Sequence, residues 1–79
     1  MTKFDKAVKS LNKEGFSVTL CNYPDNFTIF YNGEVVGNMI KASRNMPIVH
    51  IPFNGSERLR EACKKHRITV GVNKPVKAI

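Results

Sequence analysis

The chain has 79 residues, and its 13 Lys and Arg against six Asp and Glu give a formal net charge of +7. This length allows one small domain with a single core, and a hydrophobic share of 42% is typical of a globular chain. No apolar run approaches the roughly 20 residues of a membrane-spanning helix, and the N-terminal stretch MTKFDKAVKS has no apolar segment that could act as a secretion signal. We therefore expect a cytoplasmic protein.

A first helix is predicted to begin after Thr2. Thr2 and Asp5 have the spacing of a capping box at a helix N-terminus. Apolar residues then recur at helical spacing and would form one buried stripe: Phe4, Ala7, Val8 and Leu11. Gly15 is a natural end for this helix. The opposite side carries a row of lysines: Lys6, Lys9 and Lys13.

Strand periodicity follows the first helix. Residues 16–21 alternate between apolar and small or polar types, and Pro24 with its Asn and Asp neighbours predicts a turn. Asn32 and Gly33 favour a two-residue type I′ hairpin, because both positions of that turn require positive φ. The resulting register would place on one sheet face Phe27, Ile29, Tyr31, Val36 and Ile40. The other face would then carry Phe30, Val35 and Met39.

The second half of the chain predicts a loop at residues 41–47 and a short strand at 48–53 that ends near Pro52. Ser56 would cap a second helix, whose inward stripe consists of Leu59, Ala62, Cys63 and His66. Residues 68–72 could form a last strand, and residues 73–79 are predicted to be a flexible tail.

The element order is therefore α-β-β-β-β-α, with or without a closing strand. Two helices packed on one face of a three- to five-stranded antiparallel sheet form the simplest two-layer arrangement for this order. We predict a single α+β domain over residues 1–72. Cys21 in a strand and Cys63 in a helix are expected to be buried thiols, because a small secreted domain would normally need more than one bridge.

Positive charge is concentrated on the two helices, the 41–47 loop and the tail. Phosphates bind such surfaces through charge and counterion release, without base-specific contacts. The residues predicted to contact nucleic-acid backbone are Lys6, Lys9, Lys13, Lys41, Arg44, Arg58, Arg60, Lys64 and Arg67. The competing interpretation is a solvated surface that keeps a small protein soluble.

The predicted face of Phe30, Val35 and Met39 is a second candidate surface. It is apolar, and the hairpin that carries it is net acidic, which suits a protein contact better than base stacking. It could bind an acidic partner protein or a second copy of the chain. The competing interpretation is that the tail or the last strand covers this face.

Neither a metal site nor a catalytic set is predicted. Cys63 and His66 are one helical turn apart, but zinc would also require Cys21 and His50 from separate strands, and the sequence has no CxxC motif. Acid–base catalysis at His50 would need a second titratable group, and the sequence places none beside it. We therefore expect a non-enzymatic protein without a cofactor.

Two stretches, SLNKEGF (Ser10–Phe16) and VHIPFNGSERLREACKKH (Val49–His66), resemble the HicA-type mRNA-interferase toxins. The resemblance implies a fold like that of a double-stranded-RNA-binding domain. The family's catalytic histidine precedes or opens the second strand in a Gly-Ser-His context, whereas Asn26 and Phe27 occupy that place in this chain. The function predicted is non-enzymatic binding of nucleic-acid backbone, with a partner-binding regulatory protein and a HicA-like ribonuclease as alternatives.

Overall fold

The computed structural model describes residues 2–21, 24–52 and 56–71. Two helices and one five-stranded sheet make up this part of the chain, which confirms the predicted α+β class. The elements in chain order are α1 (Lys3–Lys13), β1 (Phe16–Leu20), β2 (Asn26–Tyr31), β3 (Glu34–Ala42), a short 3-10 turn (Ser43–Asn45), β4 (Met46–His50), α2 (Glu57–Lys65) and β5 (Thr69–Gly71).

The strands lie in the sheet in the order β1-β2-β3-β4-β5, and the first four form an antiparallel meander. The last strand departs from the prediction of a wholly antiparallel sheet, because β5 runs parallel to β4. A helix connects these two strands, so the chain returns to the starting end of β4 before it pairs again.

The first helix begins at the predicted cap. The Asp5 backbone N–H donates to Thr2 Oγ1 at 3.1 Å, and the Thr2 N–H donates to Asp5 Oδ2 at 3.3 Å. Hydrogen bonding to Thr2 lowers the pKa of Asp5. Ser56 likewise caps α2 by accepting the Leu59 N–H at 3.2 Å. These contacts are local in sequence, which is why the pattern alone predicted them.

The β2–β3 hairpin has the predicted turn, with φ of 52° at Asn32 and 82° at Gly33. Its register is as predicted only for the first two pairs, Tyr31 with Glu34 and Phe30 with Val35. A β-bulge follows, so Ile29 pairs with Gly37 instead of Val36.

The bulge changes which side of the sheet the rest of β3 presents. Met39 is fully buried in the core, whereas Ile40 alternates onto the other face, in register with Ile48. The predicted assignment of Met39 to the outer face and of Ile40 to the inner face is therefore wrong. One extra residue in a strand is enough to exchange the two faces beyond it.

Gly37 lies at this bulge, where α2 comes close to the sheet. A Cβ at Gly37 would lie 2.8 Å from the His50 carbonyl oxygen and 3.0 Å from Leu59 Cδ2. The absence of a side chain therefore lets Leu59 reach the sheet, and Leu59 is fully buried.

Both helices contribute to one hydrophobic core on the inner face of the sheet. Its buried members are Phe4, Ala7, Leu11, Phe16, Ile29, Met39, Val49, Ile51, Leu59, Ala62, Cys63 and Ile68. None of the helices described is long and apolar enough to cross a membrane.

Two predicted boundaries were wrong. Residues 41–47 are not one loop, because β3 extends to Ala42 and β4 begins at Met46, which leaves a three-residue turn. The strand predicted at 48–53 ends at His50. The predicted tail, residues 73–79, lies outside the described residues.

Candidate functional site

A cavity of about 280 Å³ lies between α1 and the start of β4 and β5. The side chains at its rim that can contact an anion are Lys3, Lys6, Ser10, His66, Arg67 and Thr69. We call this cavity the basic groove. The apolar residues Ala7, Met46, Pro47 and Ile68 also line it.

Two bases of the groove come from the first turns of α1. Lys3 and Lys6 are both exposed and stand one turn apart, so they share a side of the helix. They lie close to the positive end of the helix dipole, which adds to their field instead of opposing it. Two positive charges at this end destabilise the helix when no anion is bound. An anion near the start of the helix would relieve that repulsion.

Arg67 enters the groove from the end of α2, in a backbone conformation that usually requires glycine. Its φ is 56°, and it directly follows the helix C-cap His66. The Ile68 N–H donates to the Cys63 carbonyl at 2.8 Å, and the Arg67 N–H donates to the Lys64 carbonyl at 3.3 Å. These two bonds are those of a Schellman motif, whose left-handed position is most often glycine.

The left-handed conformation costs a non-glycine residue roughly 1–2 kcal/mol. Arg67 thus occupies a position at which we expect glycine to be more stable. Such an outlier is a reason to look for function at the residue.

Three bases of the groove, Lys3, Lys6 and Arg67, form no ion pair with a carboxylate of the described residues. The ion pairs within the described residues join Arg60 to Glu57, and Lys65 and His66 to Glu14. None of them involves Lys3, Lys6 or Arg67, so these three keep their donors for another anion.

The other predicted contact residues are dispersed over the surface. Lys9 and Lys13 are exposed farther along α1, and Lys64 is exposed on α2. Lys41 Nζ lies 5.5 Å from the centre of the Phe4 ring, which places this lysine over α1. Arg44 is exposed in the 3-10 turn that leads into β4, with φ of 59°.

The remaining arginines of α2 have protein partners. Arg60 lies 3.9 Å from Glu57, and the Arg58 guanidinium lies 4.9 Å from the centre of the Tyr31 ring. Arg58 also lines a second cavity, of about 420 Å³, together with Glu14, Glu61 and Lys65. The mixed charge of that cavity suits an anion less well than the basic groove does.

The groove therefore brings together only Lys6 and Arg67 of the nine predicted bases. Sequence reasoning missed Lys3, although its position one turn before Lys6 on the same helix was the available signal.

His66 and the two cysteines differ in how deeply they are buried and in which groups they contact. His66 was predicted to be in the apolar stripe, but it is only partly buried and its Nε2 lies 3.1 Å from Glu14 Oε2. Cys63 is buried as predicted, and burial raises the pKa of its thiol to about 11. Cys21 follows β1 and is only partly buried, with its Sγ 2.7 Å from Thr28 Oγ1.

Within residues 2–21, 24–52 and 56–71, no three His, Cys, Asp or Glu side chains are close enough to hold a metal ion. His50 lies on the outer face of β4, in register with Asn38 and Gly71. Phe27 packs against Phe4 with the ring centres 4.8 Å apart.

The sheet face that was predicted to bind a partner carries different residues in the structure. Phe30 is half-buried and Val35 is 61% exposed, but Met39 is in the core. Ile40 and Ile48, both half-buried, take the place of Met39 on that face.

No protein-family model matches the chain, and neither a curated protein nor a solved structure is significantly similar to it.

Proposed function

We propose that this protein binds the phosphate backbone of nucleic acid through the basic groove, without catalysing a reaction. The observation that carries the proposal is Arg67, which occupies a glycine-type backbone position and lines the same cavity as Lys3 and Lys6. The net charge of +7 would draw a polyanion towards the protein.

The chemistry of the groove suits a phosphodiester. Arginine presents a planar fork that bonds two phosphate oxygens at once, and lysines add point charges beside it. The groove, with a volume of about 280 Å³, has room for a single phosphate group. The Ser10 and Thr69 hydroxyls at the rim can donate further hydrogen bonds.

The lysine row of α1 would extend this contact. Lys9 and Lys13 continue along the helix from Lys6 and are exposed. A backbone seated in the groove could therefore follow α1 and meet further charges. Contacts of this kind set affinity and orientation but do not read the base sequence.

The test is a fluorescence-anisotropy titration with duplex RNA, single-stranded RNA and duplex DNA at several salt concentrations. The diagnostic variant is Arg67→Gly, because glycine suits the left-handed conformation and the variant should fold. We expect weaker binding and a salt slope reduced by roughly 0.9, the value for one lost phosphate contact on duplex DNA.

Arg44→Gly is the matched control, since Arg44 is also an exposed arginine with a φ near that of Arg67. If net charge alone attracts the nucleic acid, the two variants will weaken binding equally, and the assignment to the groove fails. Absence of salt-sensitive binding by the unmodified chain would overturn the proposal itself. Running the recovered RNA on a denaturing gel tests the ribonuclease alternative, because intact RNA argues against it.

A further inference from the structure

The strand β1 forms one edge of the sheet and has none of the features that usually keep an edge strand unpaired. It pairs with β2 on one side, and none of the described strands pairs with its other side. Edge strands are commonly protected by charge, proline, a bulge or short length. The five residues of β1, FSVTL, include no charge and no proline, and their register with β2 has no bulge. The opposite edge strand, β5, has only three residues.

The hydrogen bonds of β1 show which of its backbone groups face this open edge. The Cys21 N–H donates to the Asn26 carbonyl at 2.8 Å, so these two residues form a hydrogen-bonded pair of the antiparallel ladder. Hydrogen-bonded and non-hydrogen-bonded pairs alternate, so Ser17 and Thr19 also bond to β2. The N–H and C=O groups of the residues between them therefore point to the open edge: Phe16, Val18 and Leu20.

The helix side of this edge carries a strip of incompletely covered apolar side chains. Val18 is half-buried against the core, and Leu20 is 62% exposed. Val8 of α1 is also half-buried, and it lies on the helix flank opposite Lys6, which lines the basic groove beside β4. Val8 therefore lies on the flank nearer to β1, so that helix and strand both present apolar surface at this edge.

We propose that β1 pairs antiparallel with β1 of a second copy around a two-fold axis at Val18, which joins the two sheets into one. In this register Phe16 lies opposite Leu20 of the second copy, and Val18 lies opposite Val18. Their edge-facing groups match, so each such pair exchanges two N–H···O=C bonds. Apolar residues meet on the helix side, while Ser17 meets Thr19 of the second copy on the other side.

Self-complementarity is the reason for choosing a second copy as the occupant. A two-fold contact requires a surface that fits itself, and β1 does so in both its hydrogen-bond phase and its side-chain pairs. An extended peptide bound at an edge gains specificity from pockets for its alternate side chains. Neither the basic groove nor the second cavity includes a β1 residue. A peptide would also bring no helix layer over Leu20, whereas a second copy brings its own α1 and Phe16, so burial of Leu20 stabilises the pair.

The charges of α1 do not oppose this contact. At about 100° per residue, Asp5 and Asn12 share the flank of Val8, whereas the groove lysines, Lys3 and Lys6, lie on the other flank. The second copy therefore meets the side of the helix that carries a carboxylate. The dimer leaves both basic grooves open and does not depend on nucleic-acid binding.

Sedimentation velocity of the full chain from about 5 to about 500 µM tests the proposal by mass action. We expect the weight-average mass to rise from one towards two copies over this range. Leu20→Lys should raise the dissociation constant at least about tenfold, because each added ammonium group would have to lose water beside Phe16 of the other copy. Leu20 is 62% exposed, so the monomer should tolerate this change.

Val35→Lys is the matched control. Val35 is 61% exposed and adds the same charge, but it lies in β3, which has a partner strand on both sides. We expect this variant to dimerise like the unmodified chain. An equal loss in both variants would show that added charge, and not the β1 edge, controls association.

Amide exchange and nuclear Overhauser contacts test the register. Protection of the Val18 N–H should rise with protein concentration, whereas the Thr19 N–H, bonded to β2, should be protected at every concentration. In a mixture of labelled and unlabelled chains, the Ser17 Hα should contact the Thr19 Hα of the other copy, because the Cα atoms of a non-hydrogen-bonded pair are about 4.5 Å apart. A dimer without this contact would overturn the proposed pairing.

A chain that stays monomeric up to about 500 µM overturns the proposal. Protection of the Val18 N–H in that monomer would show that another segment of the same chain covers the edge. Protection that appears only on addition of a synthetic peptide of alternating valine and threonine would assign the edge to a strand of another protein. Either result would replace the second copy as occupant.

Discussion

Glu14 Oε2 lies 3.1 Å from His66 Nε2 and 3.2 Å from Lys65 Nζ, so a single carboxylate joins the ends of the two helices. Glu14 is the C-cap of α1 and His66 is the C-cap of α2. The contact also fixes the residue before Arg67. The position of the groove arginine therefore depends in part on a carboxylate that is 53 residues earlier in the chain.

This contact predicts an effect of acid on stability. Hydrogen bonds from His66 and Lys65 lower the pKa of Glu14 below its ordinary value of 4.5. The folded state therefore favours the carboxylate, and its stabilising contribution is present above pH 4.5 and is lost as the pH falls through the lowered pKa. We expect Glu14→Gln to reduce the loss of stability on acidification.

Urea unfolding at several pH values between about 7 and about 3 measures this effect. Glu34→Gln is the control, because Glu34 is exposed at the hairpin. The idea is wrong if Glu14→Gln and the unmodified chain lose the same stability over this pH range.

The second prediction concerns the close approach at the bulge. Gly37→Ala places a Cβ 2.8 Å from the His50 carbonyl oxygen, a backbone atom that cannot move away without disturbing β4. We expect a loss of about 1–3 kcal/mol in the free energy of unfolding, as for overpacking in a core.

Chemical denaturation measures that loss. Gly33→Asn serves as a comparison, because a Cβ at Gly33 would have nothing within 4 Å and Asn tolerates positive φ. Equal effects at the two glycines would contradict the importance assigned to close packing at Gly37.

The third prediction separates the effect of Arg67 on the stability of the fold from its role in binding. Glycine removes the left-handed strain of roughly 1–2 kcal/mol, while its greater unfolded-state freedom costs roughly 0.5–1 kcal/mol. Arg67→Gly should therefore raise the free energy of unfolding by about 0.5–1 kcal/mol. A rise in thermal midpoint would show that arginine is retained at a cost in stability, and a fall would show that its side chain holds the fold together.

The fourth prediction concerns the two thiols. Burial raises the pKa of Cys63 to about 11, so little reactive thiolate is present at neutral pH and access is blocked as well. We expect a maleimide to modify Cys21, which is partly exposed, well before Cys63 in the folded protein.

Mass spectrometry after proteolysis identifies the modified cysteine at each time. In denaturant both should react at similar rates, which controls for intrinsic reactivity. Comparable rates in the folded protein would contradict the buried position of Cys63.

Several elements could be predicted from sequence because their causes are local. The Thr2 and Ser56 caps each depend on a contact with the third following residue, and the Asn32-Gly33 turn depends on the φ preferences of its own residues. The apolar stripe of α1 and most of that of α2 followed from helical period. His66 was the exception, because it contacts Glu14 at the end of the other helix and is only partly buried.

The sequence by itself determined the helices, the hairpin turn, the α+β class and the excess of positive charge. The tertiary structure decided the bulge opposite Ile29, and with it the exchange of Met39 and Ile40 between faces, because the close approach of Leu59 to Gly37 involves distant segments. It also decided the parallel direction of β5 and the meeting of Lys3, Lys6 and Arg67 around one cavity. Period and propensity act over a few residues, whereas these features depend on contacts between residues far apart in the chain.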